Sequence, residues 1–154
     1  MRILFYHEAR AWSGEARAFA ALARGLSERG HAVTFACPPD SAVEQHLELG
    51  AYEVLPLRSD APTSLAALRL RRALQERFVQ VVCVHTDREQ VVAASAARLA
   101  ERAAVLRRVP VGERVALGPR ARFALRLTAT GFVFGAEDDA RRAGALDPPR
   151  RAQQ

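Results

Sequence analysis

Short apolar runs alternate with longer amphipathic segments along the chain, and this alternation constrains the fold more than any other feature of the sequence. The apolar runs are rich in β-branched and aromatic residues, which favour strands. Between them, apolar residues such as Phe19, Leu22, Ala23 and Leu26 recur at three- and four-residue steps, as on the buried face of a helix. Strands are predicted at residues 2–7, 32–37, 52–57, 78–84, 103–106 and 130–134.

Signals for helix ends bound the segments between these strands. Gly30 is typical of a helix C-terminal stop, and Ser41 and Glu44 have the spacing of a capping box. Asp87 is predicted to cap the helix that follows the fourth strand. Helices are therefore expected between the loop 8–14 and Gly30, and at residues 41–49, 64–77, 87–101, 120–128 and 137–143.

Strands that are separated by such helices favour parallel pairing through crossover connections. The sequence therefore predicts an α/β fold with a doubly wound, mostly parallel Rossmann-like sheet and helices on both faces. A length of 154 residues suits one domain. Ligands of such sheets bind at the carboxyl ends of the strands, so the loops at that edge are the places to look for function.

Composition narrows the class of protein. Hydrophobic residues make up 49% of the chain and charged residues 26%, which is typical of globular proteins. No window approaches the roughly 18 apolar residues of a membrane span, and the N-terminus does not resemble a signal peptide, so a cytoplasmic location is predicted. Cys37 and Cys83 lie at or near the ends of apolar runs without C-x-x-C spacing, which predicts buried reduced thiols.

The net charge of +6 comes from arginine alone, because the chain contains no lysine. The arginines are spread through the predicted helices and form no single basic block, so nucleic acid is not expected as a partner. Contact with the acidic inner face of a membrane stays open as an alternative.

Two histidines follow predicted strands. Alternation along the fourth strand puts Cys83 and His85 on the same face, with His85 at the exposed edge. An imidazole in that position can donate to a sugar hydroxyl or relay a proton, so His85 is the candidate catalytic residue. His7 ends the first strand and is a candidate substrate-binding residue beside it. The alternative is a purely structural role for each histidine.

Two loops add further candidates at the same edge. Trp12 precedes Ser13 and Gly14 at the start of a helix, where backbone amides can approach a phosphate. Ser13 and Gly14 are therefore candidates for phosphate binding and Trp12 for substrate binding, although Ser13 can equally serve only as a helix cap. Arg107 and Arg108 are predicted to project over the cleft, where guanidinium groups bind phosphate or carboxylate. The alternative, in a chain so rich in arginine, is that they are solvated surface residues.

The sequence lacks the motifs of several enzyme classes. It contains no dinucleotide fingerprint or phosphate-binding P-loop, no Ser-His-Asp order and no cluster with metal-ligand spacing. No cofactor and no metal are therefore predicted. The residues alone indicate a cleft for a phosphorylated or polyhydroxyl ligand.

Several segments point, in order, to one family. They are MRILFYH at residues 1–7, WSGEAR at 12–17 and LARGLSERGHAV at 22–33, followed by VVCVHT at 81–86 and TGFVFGAEDD at 130–139. Together they resemble the N-terminal domain of family 4 glycosyltransferases, which are retaining enzymes of the GT-B architecture. The resemblance spans about residues 1–146.

The resemblance implies a two-domain enzyme. Its N-terminal half mainly holds the acceptor, its C-terminal half holds most of the nucleotide-sugar donor, and sugar transfer occurs in the cleft between them. By resemblance, His85 contacts the transferred sugar and Ser13 and Gly14 lie near the donor phosphates, while Arg107 and Arg108 are positional candidates for acceptor or phosphate contact. A second domain, in the same or another chain, would complete the enzyme, and residues 1–146 alone are expected to have little or no activity.

Three functions are therefore weighed for residues 1–146, with residues 147–154 expected to form a disordered tail. The first is the acceptor-side domain of an enzyme whose substrates are a nucleotide-sugar and a glycan or lipid acceptor, completed by a C-terminal-half partner. The second is a non-catalytic module that binds sugar or docks a partner. The third is an unrelated flavodoxin-like or nucleotide-binding domain, which tight binding of a free dinucleotide would indicate.

Overall fold

A computed structural model of the protein describes residues 1–47, 50–112 and 118–135. Strands and helices alternate along these residues, as the sequence predicts. The elements are β1 (Arg2–Tyr6), α1 (Gly14–Glu28), β2 (Ala32–Cys37), α2 (Ala42–His46), β3 (Glu53–Pro56), α3 (Thr63–Glu76), β4 (Val81–Val84), α4 (Asp87–Ala100), β5 (Ala104–Val109), α5 (Pro119–Ala124) and β6 (Thr130–Phe134).

The six described strands form one parallel sheet in the order β3-β2-β1-β4-β5-β6. β1 lies at the centre, where Phe5 aligns with Phe35 of β2 and with Cys83 of β4. The strand order reverses between β1 and β4, so the loops that follow these two strands open a crevice at the carboxyl edge of the sheet. The predicted doubly wound, Rossmann-like fold class is therefore confirmed.

The two faces of the sheet carry separate hydrophobic clusters. Successive residues of a strand point to opposite faces, so Ile3 and Phe5 of β1 pack against Phe19 of α1 on one side. Leu4 and Tyr6 pack on the other side among the buried residues of α3, α4 and α5. The crevice between β1 and β4 is thus supported by a packed core on both faces.

Both cysteines are free thiols. Cys37 is fully buried in the cluster under α1 and α2, and Cys83 is half-buried against the same cluster. Burial raises the pKa of each thiol to about 12. Neither cysteine is therefore a reactive thiolate at neutral pH. Both are free thiols as predicted, but Cys83 is less buried than predicted.

Two predicted strand boundaries are wrong. β4 begins at Val81 and not at residue 78, because Phe78 adopts a φ of 52° in the turn after α3. β5 runs to Val109, beyond the predicted end at residue 106. Arg107 and Arg108 therefore lie inside a strand, since β5 pairs with both β4 and β6 and the backbone ladder outweighs the polarity of its side chains.

Two helix predictions also need correction. The N-cap of α4 is Thr86 and not Asp87: the Thr86 hydroxyl accepts from the Glu89 N–H, and the Glu89 carboxylate accepts from the Thr86 N–H, which completes a capping box. Asp87 instead accepts the Gly118 N–H at 3.2 Å, where α5 begins. α5 covers only Pro119–Ala124, shorter than the predicted 120–128.

Several predictions fall outside the described residues. They are the helix at 137–143, the domain end at 146, the disordered tail at 147–154 and the last two residues of the helix at 41–49. Among the described residues, no helix is long and apolar enough to cross a membrane.

Replacing Glu101, the C-cap residue of α4, with glycine is expected to stabilise the protein. The residue is exposed and adopts a left-handed φ of 53°, a conformation that disfavours side chains with a Cβ. Glu101→Gly should therefore raise the unfolding free energy by about 0.5–1 kcal/mol in urea titrations. Gln75→Gly, at an exposed position in the last turn of α3, is the matched control and should lower it by up to about 1 kcal/mol. A loss of stability in Glu101→Gly would contradict this account.

Candidate functional site

The crevice between β1 and β4 brings the two candidate histidines to one place. His7 follows β1 and is 2% exposed, while His85 follows β4 and its side chain is 11% exposed. The Phe19 ring of α1 lies between them, with its centroid 6.0 Å from the His7 ring and 6.1 Å from the His85 ring. The structure therefore places both histidines at the switch point, but it buries His85 more deeply than the predicted exposed edge.

Glu89 of α4 ties the two strand ends together from below. Its carboxylate is 1% exposed and accepts backbone N–H groups from Glu8 at 2.8 Å, from His85 at 2.8 Å and from Thr86 at 3.0 Å. The Nδ1 atom of His7 lies 3.4 Å from Glu89 Oε1. A single buried carboxylate thus fixes the backbone on both sides of the crevice. Sequence spacing predicted a capping box for Glu44 but not this second one, which Glu89 forms with Thr86.

The surroundings of Glu89 keep it ionised. Burial works against the charged form, but the neighbouring His7 ring and the backbone N–H groups of Glu8 and Thr86 outweigh it and hold the pKa of Glu89 below its ordinary value. The cluster therefore presents a stable negative charge beneath two histidines at neutral pH.

The N-terminus of α1 forms the opposite wall of the crevice. The Ser13 hydroxyl caps the helix by accepting the Ala16 N–H at 3.3 Å, and Gly14 is exposed. Glu15 reaches from the first turn toward His85, with its Oε1 atom 3.8 Å from His85 Nε2. Hydrogen bonds from Ser13 and from the Glu15 backbone, with smaller effects of the two histidines, lower the pKa of this carboxyl. Ser13 and Gly14 therefore lie across the crevice from His85.

Trp12 faces away from the crevice. Its ring stacks on the exposed His46 ring of α2, with a centroid distance of 5.2 Å and an interplanar angle of 14°. The side chain packs beside the cluster under α1 and α2. Trp12 is thus placed on the outer side of α1, away from the crevice histidines His7 and His85.

Arg107 and Arg108 are also separate from the histidines. The Nη1 atom of Arg107 pairs with the carboxylate of Asp87 and donates to Gln90 Oε1 at 2.9 Å, so this side chain braces α4 against β5. Alternation along β5 directs Arg108 to the opposite face of the sheet. The guanidinium of Arg107 is held by partners inside the fold and does not project freely over the cleft.

A cavity of about 390 Å³ opens beside the crevice, at the carboxyl ends of β1, β2 and β3. Its walls carry three arginines, Arg10, Arg58 and Arg88, together with Glu8 and, on the remaining sides, Pro38, Pro39, Asp40, Ser59 and Asp60. These arginines were not predicted as site residues, because arginine is common throughout the chain. The only local signal is that Arg10 and Arg58 each follow a predicted strand.

Arg88 organises this cavity. Its Nε atom donates to Glu8 Oε2 at 2.8 Å, and its Nη2 atom donates to the main-chain oxygens of Ser59 at 3.0 Å and Ala61 at 2.8 Å. The side chain therefore joins the loops after β1 and β3 to the start of α4. It also lines a second cavity of about 490 Å³ near the N-termini of α4 and α5. Within the described residues, no three His, Cys, Asp or Glu side chains converge in a way that could hold a metal ion.

Comparison with known proteins gives a family match over most of the chain. The model described as Glycosyltransferase Family 4 matches residues 12–113, which is more than half of the 154 residues. No curated protein sequence matches the chain.

Solved structures share the fold at low sequence identity. Anabaena Alr3699/HepE in complex with UDP-glucose has a TM-score of 0.70 at 17% identity, over 95% of this chain and 40% of HepE. Acinetobacter baumannii MurG has a TM-score of 0.63 at 13% identity, over 86% of this chain and 41% of MurG. The apo form of WaaB, a lipopolysaccharide outer core galactosyltransferase, gives 0.62 at 11% identity, over 96% of this chain and 43% of WaaB. The chain thus spans less than half the length of these three proteins.

Proposed function

Because the chain belongs to glycosyltransferase family 4, and its fold is that of the N-terminal domain of a GT-B enzyme, we propose that residues 1–146 form the acceptor-side domain of a sugar transferase. The enzyme moves a sugar from a nucleotide-sugar donor to a glycan or lipid acceptor, in the cytoplasm or at the inner face of its membrane. The observation that carries the proposal is the meeting of His85 with the N-terminus of α1 across the crevice between β1 and β4.

His85 is proposed to contact the transferred sugar. Its Nδ1 atom is buried and has no hydrogen-bond partner among the described residues, whereas its Nε2 atom faces α1 and lies 3.8 Å from the Glu15 carboxylate. That negative charge favours a proton on Nε2, so the Nε2–H tautomer is proposed for the neutral ring. That N–H can donate to a hydroxyl of the sugar, and Glu89, by holding the His85 backbone, keeps the ring at a fixed height in the crevice.

The donor phosphates are proposed to approach Ser13 and Gly14 only with help from a second domain. Helix N-termini attract phosphate through their free amides. At α1, however, the Glu15 carboxylate occupies the first turn, and its lowered pKa keeps it negative at neutral pH. A phosphate alone would be repelled by that charge, so cationic groups of a C-terminal half are needed to hold the donor.

The acceptor is proposed to enter the cavity of about 390 Å³ beside the crevice. Arg10 and Arg58 line it with guanidinium groups that bear no carboxylate partner among the described residues, while Arg88 is already paired with Glu8. Planar guanidiniums make paired hydrogen bonds to hydroxyl or anionic groups. Acceptor contact is therefore assigned to Arg10 and Arg58 ahead of Arg107, whose partners lie within the fold.

The proposal is tested by assaying donor hydrolysis and transfer with UDP-, GDP- and ADP-sugars, starting with UDP-glucose because Anabaena HepE binds it. We expect no turnover from the chain alone and transfer when the C-terminal half of the enzyme is added. In the completed enzyme, His85→Ala should lower kcat about 10²-fold, because one donor to the reacting sugar is lost. The matched control His31→Ala, near the N-terminus at the opposite edge of the sheet, should not. Turnover by the chain alone would refute the need for a second domain, and an active His85→Ala would refute the role of His85.

A non-catalytic sugar-binding module is the second candidate. The observation that favours it is Glu15, whose carboxylate lies where a donor phosphate would approach α1. The two candidate functions predict different effects of Glu15→Gln. In a transferase domain this variant should strengthen the binding of UDP-glucose, measured by calorimetry, because a charge of the same sign as the phosphates is removed. In a sugar-binding module the nucleotide-sugar should bind no better than the free sugar in either protein.

A further inference from the structure

We propose that the outer side of α1 carries a second carbohydrate subsite, which binds a sugar residue of the acceptor glycan away from the crevice; this rests on the proposed transferase function. The subsite is a groove of about 320 Å³ between α1, the end of α2 and the start of β3. Its rings and charged groups are Trp12, His46, Tyr52, Arg17, Arg24 and Glu28. The volume falls within the roughly 300–1,000 Å³ of small-molecule sites.

Three aromatic side chains give the groove flat apolar surface. The Trp12 ring is held by stacking on His46 at 5.2 Å, and Tyr52 is held by stacking on the buried Phe35 ring at 6.1 Å. Trp12 and Tyr52 are both half-buried and both line the groove, so each ring is partly packed and partly accessible. Rings that are fixed by packing lose little entropy when a ligand covers them, and this suits the apolar face of a sugar ring.

Polar groups at the rim suit the hydroxyls of a sugar. Arg24 Nε and Glu28 Oε1 form an ion pair at 3.0 Å on the exposed side of α1, and Arg17 lies about two turns before Arg24. His46 donates from Nδ1 to the Ala42 carbonyl oxygen at 2.7 Å, so its Nε2 atom is left as an acceptor. Guanidinium and carboxylate groups side by side can donate to and accept from neighbouring hydroxyls.

The mixture of charges favours a neutral ligand. Arg17 and Arg24 are opposed by Glu28, so the groove has no concentrated positive charge for a phosphate or nucleic acid. Trp12 directly precedes Ser13, the N-cap of α1, so one end of the groove lies at the start of α1, on the other side of the helix from the crevice. A glycan that reaches around the start of α1 could place its growing end in the crevice and an earlier unit in the groove.

The fluorescence of the single tryptophan tests this subsite directly, since Trp12 is the only tryptophan in the chain. We would titrate the full chain with neutral oligosaccharides of glucose, galactose and mannose, two to six units long. At least one series should change the Trp12 emission saturably, with affinity rising with length. Arg17→Ala, an exposed position that leaves the fold intact, should weaken that binding about tenfold, and Tyr52→Leu should do the same.

A matched control tests whether the Trp12 signal is specific to the groove. Arg72→Ala removes an exposed arginine of α3, on the opposite face of the sheet from α1, and should leave the Trp12 titration unchanged. Binding that survives in Arg17→Ala and Tyr52→Leu at the wild-type affinity would overturn the subsite, as would a flat titration with every oligosaccharide. If the titration behaves as expected but the completed enzyme transfers no sugar, the transferase proposal fails while the groove stands.

Discussion

Replacing Glu89 with glutamine is expected to lower the unfolding free energy by about 3 kcal/mol. The carboxylate accepts three backbone N–H groups at 1% exposure, and glutamine offers only one acceptor atom, so buried donors lose their partner and the amide group faces them. His7, 3.4 Å away, also loses its negatively charged neighbour. Urea titrations at pH 7 measure the loss, and Glu53→Gln, a surface carboxylate paired with Arg77, is the matched control with an expected loss of at most about 1 kcal/mol.

Glu89→Gln should also change how the unfolding free energy depends on pH in acidic solution. The pKa of Glu89 is lower in the folded than in the unfolded protein, so its contribution is complete above pH 4.5, the ordinary pKa of a glutamate, and is lost as the pH falls through the folded pKa. The stability gap between wild type and Glu89→Gln should therefore narrow on acidification below pH 4.5. A gap that stays constant, or an initial loss below 1 kcal/mol at pH 7, would contradict the assignment of a buried ionised carboxylate.

Phe19→Ala is expected to lower the unfolding free energy by about 3–5 kcal/mol. The ring is 1% exposed, packs edge-on against Phe5 at 5.2 Å and separates the two crevice histidines. Its removal leaves a cavity between α1 and the sheet that the rigid strands cannot close. Leu22→Ala, in the same helix but 46% exposed, is the matched control and should cost less than 1 kcal/mol.

Phe19 also links the core to the crevice. Phe19→Leu keeps most of the buried volume but removes the ring that contacts the His7 and His85 rings at 6.0 and 6.1 Å. We expect this variant to lose only about 1–1.5 kcal/mol of stability and to shift the imidazole signals of both histidines in NMR spectra. Unchanged imidazole signals in a folded Phe19→Leu protein would show that the ring does not position the histidines.

Much of the architecture could be predicted, because the types of its strands and helices depend on local sequence patterns. The apolar run before His7 and the spacing of Phe19, Ala23 and Leu26 gave the right element types, and Gly30 marked the end of α1, where it adopts a φ of 81°. The predicted ends of strands were wrong where pairing with neighbouring strands determines them. Arg107 and Arg108 are in a strand because β4 and β6 supply hydrogen-bond partners on both sides of β5.

The candidate site could be predicted only in part. His7, Ser13, Gly14 and His85 follow strands or open a helix, so the topology of the sheet was enough to bring them to one edge. Arg10, Arg58 and Arg88 could not be identified in this way, because arginine is common throughout the chain and, of the three, only Arg10 and Arg58 follow predicted strands. Their meeting around one cavity depends on how three loops fold over the sheet edge.

The sequence by itself determined the element types, the parallel sheet and the edge where the candidate residues lie, because periodicity, caps and crossover rules act over short distances along the chain. Only the tertiary structure decided which of those residues face one another. In that structure Glu89 lies beneath His7 and His85, and Trp12 packs on the outer side of α1. Arg107 donates to Gln90 inside the fold. Those outcomes depend on side-chain directions and packing between elements far apart in sequence, which no local pattern records.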